Sequence, residues 1–226
     1  VIREMTGADE EILASRKATK NPNKMFTELL TGVITEIGKD IKPNQEILRQ
    51  MLGGDRDYLV FELQKVSFGS ELEMETKCPS CEENLFIETS IDDLEVHRLE
   101  NGAGPDTWFV SVELDTGYTD ADGTTHKEIE VWFPRGETQE ALAPIARMNP
   151  GKASTSMLYR CCKRFGTLEK ATEKILRDLT KKDRDKIRRA LEENAPGPDP
   201  MIEIDCTECG HRFETLMDMS RFFGGN

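Results

Sequence analysis

The chain has 226 residues, enough for one or two domains, and 37% of them are hydrophobic; its 17 glycines bring the wider apolar class to about 44%, near the low end for a globular protein. Charged residues make up 32%, and 43 acidic against 30 basic residues give a formal net charge of −13 and a pI near 4.8. That charge repels phosphate backbones and disfavours general nucleic-acid binding, no apolar run reaches the roughly 18 residues that span a bilayer, and apolar periodicity through most of the chain rules out a disordered acidic tail.

No charged segment followed by an apolar one opens the chain, so no secretory signal is expected. The first residue is Val1, which leaves room for a preceding piece. Thr6, with Asp9 three residues on, predicts a helix over residues 8–16, and Asn21-Pro22-Asn23 breaks it. Met25, Phe26, Leu29, Leu30, Val33, Ile34 and Ile37 form a helical stripe that Gly38 ends. Pro43 opens a shorter helix carrying Ile47, Leu48, Met51 and Leu52, stopped by Gly53-Gly54. Asp55 caps a helix over residues 56–66, although Leu59-Val60-Phe61 also suits a strand.

From Gly69 the period changes. Residues 71–77 alternate, Cys78-Pro79-Ser80-Cys81 follows, and residues 85–91 alternate again, which reads as strand, turn, strand. Residues 101–105 are a loop. Residues 108–114 and 128–133 form a β-hairpin with a long polar tip over 115–126, where Asp122-Gly123 marks the turn. Helices follow over 138–147, through Met157 to Phe165, over 170–179 and over 181–193, the last started by Thr180 with Asp183. Residues 194–200, with three prolines and a glycine, form a loop. Residues 201–205 and 211–215 are strands around Cys206-Thr207-Glu208-Cys209, and residues 216–223 are expected to be helical.

The two CxxC turns match beyond their cysteines. Leu85 follows Cys81 by four residues, and Phe213 follows Cys209 at the same offset. Two residues between cysteines let one turn aim both sulfurs at one centre, with backbone N–H groups facing the thiolates. Tetrahedral zinc takes four sulfurs at about 2.3 Å, so Cys78, Cys81, Cys206 and Cys209 form the ligand set of a zinc ribbon. Roughly 124 residues separate Cys81 from Cys206, against roughly 15–20 in a simple ribbon. The expected site is therefore split, holds one Zn²⁺ per chain, and is structural because four cysteines leave no open position. Disulfides are the competing reading, opposed by the absence of a secretory signal. A redox CxxC is opposed by strands on both sides of each turn. Separate metals shared between chains remain open. His211 is expected beside the site.

Other motifs read as structural. Cys161 and Cys162 lie on the apolar helix face of Met157, Leu158 and Phe165 and read as core. Asp120-Ala121-Asp122-Gly123 fails the EF-hand count, because Thr125 and Val131 stand where Gly and Glu belong. The basic run from Lys181 to Arg189 is diluted by Asp183 and Asp185, lacks aromatics, and reads as a solvated or docking face. His97, His126 and His211 are far apart, and no GxSxG, phosphate loop or HExxH occurs, so no catalytic constellation is found.

Arg3-Glu4-Met5-Thr6-Gly7 with Glu10-Glu11, then Gly54-Asp55-Arg56 with Tyr58-Leu59, then Gly69 and the Cys-Pro-x-Cys turn, and finally Phe133-Pro134-Arg135-Gly136-Glu137 stand in a characteristic order. In that order, over roughly the first 140 residues, the chain resembles the baseplate hub subunit family of T-even-like contractile-tailed phages. The resemblance implies a virion structural or tail assembly protein, with other baseplate and tail proteins as partners, assembled in the host cytoplasm and located in the tail baseplate. The cysteine ligands rest on spacing, independently of it.

The expected fold is α+β: a helical region 1–68, a zinc-ribbon-like β part over 69–136 plus 201–217, an inserted helical region 137–200 and a tail 218–226. The expected function is a non-enzymatic baseplate component with a structural zinc and protein-protein interfaces, with no membrane partner. The alternatives are a zinc-ribbon regulator contacting nucleic acid or polymerase, a transient tail assembly factor, and a metalloenzyme with an open metal position.

Overall fold

Helix α1 (Gly7–Leu13) starts where Asp9 folds its carboxylate back on Thr6, accepting from the Thr6 N–H and hydroxyl at 2.8 Å each. The same carboxylate pairs with Arg3 at 2.7 Å. The Arg3 hydrogen bond, against the opposing effect of burial and with help from Thr6, holds Asp9 down to about 2. A carboxyl depressed in the folded state adds stability above its unfolded value of about 3.9, and that stability is lost as pH falls through the folded value. Asp9→Asn is expected to melt below the wild type at pH 7, with the gap closing between about pH 4 and pH 2. A gap in melting temperature that persists unchanged at pH 2 would contradict this.

The computed structural model describes residues 1–15, 20–99 and 104–217. Helix α2 (Pro22–Val33) is capped by Asn21, whose side chain accepts from the Lys24 N–H at 3.2 Å, and it buries Leu29, Leu30 and Val33. It ends before the apolar stripe does. Ile34 leaves the helix to bridge Ile2, and Ile37 bridges Ile41 across a turn in which Gly38 and Asp40 both have φ of 62°. The apolar contacts survive in extended backbone.

Helix α3 (Gln45–Gln50) is capped by Asn44. Helix α4 (Gly53–Phe68) begins two residues before the expected Asp55 cap, because Leu52 and Gly53 are held by the distant segment 134–136. Leu52 bridges Arg135, the Gly53 N–H donates to the Pro134 carbonyl at 2.8 Å, and the Gly136 N–H donates to the Met51 carbonyl at 3.0 Å. Leu59-Val60-Phe61 is helical, since Val60, Phe61 and Leu63 bury together in the core that α2 lines.

Strands β1 (Glu71–Lys77) and β2 (Asn84–Ser90) pair antiparallel from Glu71↔Ser90 to Lys77↔Asn84. The two-residue strand β3 (Val96–His97) follows. Strands β4 (Phe109–Thr119) and β5 (Thr125–Trp132) make the predicted hairpin, but its tip is short: β4 continues past Leu114 through a register shift between Glu113 and Tyr118. Gly117 makes the shift feasible, with φ of 72° and the His126 carbonyl so close that a β-carbon would overlap it.

Helices α5 (Gly136–Met148) and α6 (Pro150–Cys161) come next. The expected helix through Phe165 stops at Cys161, and β6 (Cys162–Phe165) joins the edge of β5 with Ile129↔Phe165 and Val131↔Cys162. Pairing with the edge of β5 outweighs local helical propensity in these four residues. Helices α7 (Glu173–Asp178) and α8 (Lys181–Asn194) precede β7 (Gly197–Pro198), which pairs with β3 inside the predicted loop. Strands β8 (Met201–Asp205) and β9 (Arg212–Leu216) form the last hairpin. Leu216 ends that strand, and the rest of the predicted C-terminal helix lies outside the described residues except Met217, which packs into the first core.

The α+β assignment stands, built from small sheets and helices. Three apolar clusters among the described residues organise it. One joins α2, α3 and α4 with Ile91 and Met217; one joins the β4–β5–β6 sheet with α6, α7 and α8; and a small one holds Cys78, Leu85, Ile204 and Cys206. A buried polar cluster ties α2, α3, α4 and α5. Arg56 donates to the Asn23 carbonyl at 2.9 Å and to the Thr27 hydroxyl at 2.7 Å, and Thr27 donates to Glu140 at 2.6 Å. Arg49 Nε lies 3.1 Å from Glu140, an ion pair whose N–H is not aligned as a hydrogen bond.

Candidate metal centre

Each CxxC turn is built by the same backbone bonds. The Cys78 N–H donates to the Glu83 carbonyl and the Cys206 N–H to the His211 carbonyl, both at 2.9 Å. The residue after the second cysteine returns its N–H to the first cysteine's carbonyl: Glu82 at 3.0 Å and Gly210 at 2.9 Å. That residue is left-handed in both turns, with φ of 62° at Glu82 and 69° at Gly210. A side chain in this region costs about 1–2 kcal/mol, and nothing lies near a β-carbon at Gly210. Gly210→Ala is expected to lose about 1 kcal/mol and Glu82→Gly to lose none, read from denaturant midpoints. Equal losses at both would contradict the shared turn geometry.

The apolar anchors are equivalent too. Leu85 pairs with Thr76 and Phe213 with Ile204, and both reach the small cluster between the hairpins. The Thr76 and Thr215 hydroxyls lie 3.4 Å apart. This packing brings Cys78, Cys81, Cys206 and Cys209 together, with all four Sγ atoms within 4.8 Å of one another. Contacts cross between the turns: Cys78 to Cys209 is 3.7 Å, and Cys81 to Cys206 is 3.6 Å. Ligands at about 2.3 Å on a tetrahedron stand about 3.8 Å apart, so the thiols have the spacing as well as the chemistry that a four-sulfur metal site needs. Among the described residues, this is the one such gathering of His, Cys, Asp and Glu. Cys78 and Cys206 are buried, while Cys81 and Cys209 are exposed.

The two thiols of the first turn do not ionise alike. Burial opposes a Cys78 thiolate, but the Cys81 and Ser80 N–H groups and the neighbouring thiols outweigh it and bring Cys78 down to about 6; the Ser80 N–H is 3.4 Å from its sulfur. At Cys81 the Glu83 N–H favours the thiolate, yet burial and the thiols of Cys209, Cys78 and Cys206 push it up to about 12. One thiolate is favoured and the next is penalised, so a divalent cation is what would let both coexist.

The other sequence candidates lie elsewhere. His211 is exposed beside the turn and stacks on Phe213. Cys161 is buried in the second core and Cys162 half-buried at its edge; burial pushes their thiols up to about 12 and about 11, so both stay protonated. Asp120 closes the hairpin tip by accepting from the N–H groups of Asp122 and Thr124 and by bonding His126 Nε2 at 2.9 Å. The basic helix α8 has intramolecular partners for much of its charge, mostly at the surface: Lys182 and Lys186 pair with Asp115, Arg184 donates to the Leu176 carbonyl, and Arg188 pairs with Glu192. Sequence reasoning missed the role of Asp183. Its carboxylate is fully buried in the second core, and the signal for it, an acidic residue inside a basic run, reads as dilution of charge.

No helix among the described residues is long and apolar enough to cross a membrane. The fold and the site together define a class: a mixed α+β protein of small sheets whose distant hairpins meet at a four-cysteine centre. A family model described as T4 bacteriophage base plate protein matches residues 1–224, and the chain belongs to that family. The match runs past the first 140 residues that carry the resemblance and takes in the second CxxC turn. No curated protein and no solved structure matches the chain.

Proposed function

We propose that this chain is a structural or assembly component of a contractile phage tail baseplate, without chemistry of its own, in which Cys78, Cys81, Cys206 and Cys209 hold one structural Zn²⁺. The family match over residues 1–224 is the observation that carries the baseplate role. The gathering of four thiols within 4.8 Å supports the metal, and the all-sulfur donor set favours zinc with no coordination position left for substrate. When bound, the ion would cancel thiolate repulsion and pin the hairpin β1–β2 to the hairpin β8–β9. The rest of the work belongs to this chain's own residues, which present surfaces to neighbouring tail proteins. A net charge of −13 suits partners with complementary charge, where electrostatics sets register and partner choice more than affinity.

Quantitative mass spectrometry of purified baseplates tests the reading. The chain is expected at fixed stoichiometry with the other baseplate proteins. Its presence only in infected-cell extract would make it a transient assembly factor instead. Its association with polymerase or nucleic acid, and with no tail protein, would overturn the reading.

A further inference from the structure

The alternation of β1 and β2 sends Leu72, Met74, Leu85 and Ile87 inward, and one large apolar side chain breaks the pattern. Phe86 stands on the outward face and is 80% exposed. At 80% exposure the ring gains little from folding, so its apolar area stays available for burial against a partner. Its neighbours on that face are mostly acidic, with Lys77 toward the turn 3.6 Å from Glu82. Glu75 lies directly across from Phe86, and Glu73 directly across from Glu88, a like-charge cross-strand pair that destabilises the free hairpin. All three glutamates are exposed, and they line a shallow concavity with Phe86. The hairpin carrying this face ends in the first CxxC turn, so the four-cysteine centre fixes its position relative to the second hairpin.

We infer that the outward face of β1–β2 is a protein docking surface in which Phe86 enters an apolar recess on a partner tail protein and Glu73, Glu75 and Glu88 meet a rim of its lysines and arginines. An aromatic anchor at the centre with charges around it is the arrangement that concentrates binding energy in one side chain and lets the rim set partner choice. Charge complementarity selects the occupant. A second copy of this chain would set the same three carboxylates against a molecule of net charge −13, and nucleic acid or an anionic membrane would be repelled. A basic partner instead relieves the Glu73–Glu88 repulsion that the free chain carries.

The test places a benzophenone photo-crosslinking amino acid at position 86 and irradiates purified phage particles and, in parallel, infected-cell extract, so that a permanent and a transient role are both covered. The crosslinked peptide is expected to come from another tail protein and to be rich in Lys and Arg. That protein, once purified, is expected to bind Phe86→Ala about 30-fold more weakly than wild type, and to bind Glu75→Lys/Glu88→Lys more weakly still at low salt than at high salt. Phe86→Ala is expected to melt with the wild type, since an 80% exposed ring supports no core. A crosslink to a second copy, to an acidic surface or to nucleic acid, or no crosslink in either preparation, would overturn the inference. The inference rests on the baseplate reading, and the two fail separately: a chain found in particles by mass spectrometry but without a crosslink at position 86 keeps its membership and loses this surface.

Discussion

Cys206→Ser, or treatment of the wild type with a strong zinc chelator, is expected to separate the two cysteine hairpins and lower the melting temperature sharply. The small cluster between those hairpins has four buried members, Cys78, Leu85, Ile204 and Cys206, and two of them are proposed ligands. Leu85 and Ile204, with partly buried Ile87, Ile202 and Phe213, are a small apolar contact for two two-stranded hairpins, whose other support is the first core reached by Leu72, Ile202 and Met217. The clip also closes a loop from Cys81 to Cys206. By analogy with a disulfide, closing a loop on the order of 100 residues contributes about 4–5 kcal/mol, comparable to the whole stability of many domains.

The core of the β4–β5–β6 sheet contains none of the four cysteines, so its melting is expected to persist as a later step after the metal is removed. Differential scanning calorimetry and near-UV circular dichroism read both steps. In the Cys206→Ser variant the chelator should have no further effect. Cys162→Ala, half-buried at the edge of another core, is expected to keep wild-type metal content.

Asp183→Asn is expected to cost about 1.5–3 kcal/mol, the range for losing hydrogen bonds to a charged group. The Asp183 carboxylate is fully buried and accepts the N–H groups of Asp115 at 2.8 Å, Thr116 at 3.2 Å and Gly117 at 3.0 Å. Those donors project from the irregular stretch of β4, where the ladder to β5 is interrupted. Asp183 also sits in the first turn of α8, where its N–H donates to the Thr180 hydroxyl that caps the helix, while its carboxylate fastens the helix to the sheet. An amide in its place keeps the shape but turns one oxygen into a donor facing donors. Burial opposes the charged form, yet the three backbone N–H groups and Thr180 prevail and hold the carboxyl below its usual value. The stabilisation is therefore present above the unfolded value of about 3.9 and is lost as pH falls through the lower folded value. The stability gap between wild type and Asp183→Asn should narrow in that acidic range, while both lose the contributions of Asp9 and Asp115. A variant within 1 kcal/mol of wild type at pH 7, by urea denaturation, would contradict the account of this contact.

Much of this molecule is legible in its sequence, and the parts that are not share a physical cause. The matched strand–CxxC–strand units emerge from local alternation and spacing, because each turn is closed by bonds spanning five residues or fewer. That the two turns meet depends on packing between segments far apart in the chain, and only the ligand arithmetic of a tetrahedral site anticipates it. The helical stripe continuing to Ile37 and the apolar face continuing to Phe165 both mislead for the same reason. Ile34 and Ile37 are used in bridges, and Cys162 and Phe165 in a sheet edge, so burial is correctly foreseen while the backbone that achieves it is set by tertiary partners. The long polar tip of the β4–β5 hairpin misleads differently: polarity there marks the docking of Asp183 and of Lys182 and Lys186, not a loop. Phe86 is visible in retrospect as the apolar residue in the polar phase of an alternating strand.

The most direct test of the central proposal is zinc content per chain, measured by plasma mass spectrometry on protein whose mass in solution is fixed by light scattering. One zinc per monomer is expected, released when the four thiols are titrated and absent from Cys206→Ser. A metal-free monomer whose melting temperature is unaffected by chelator would contradict it.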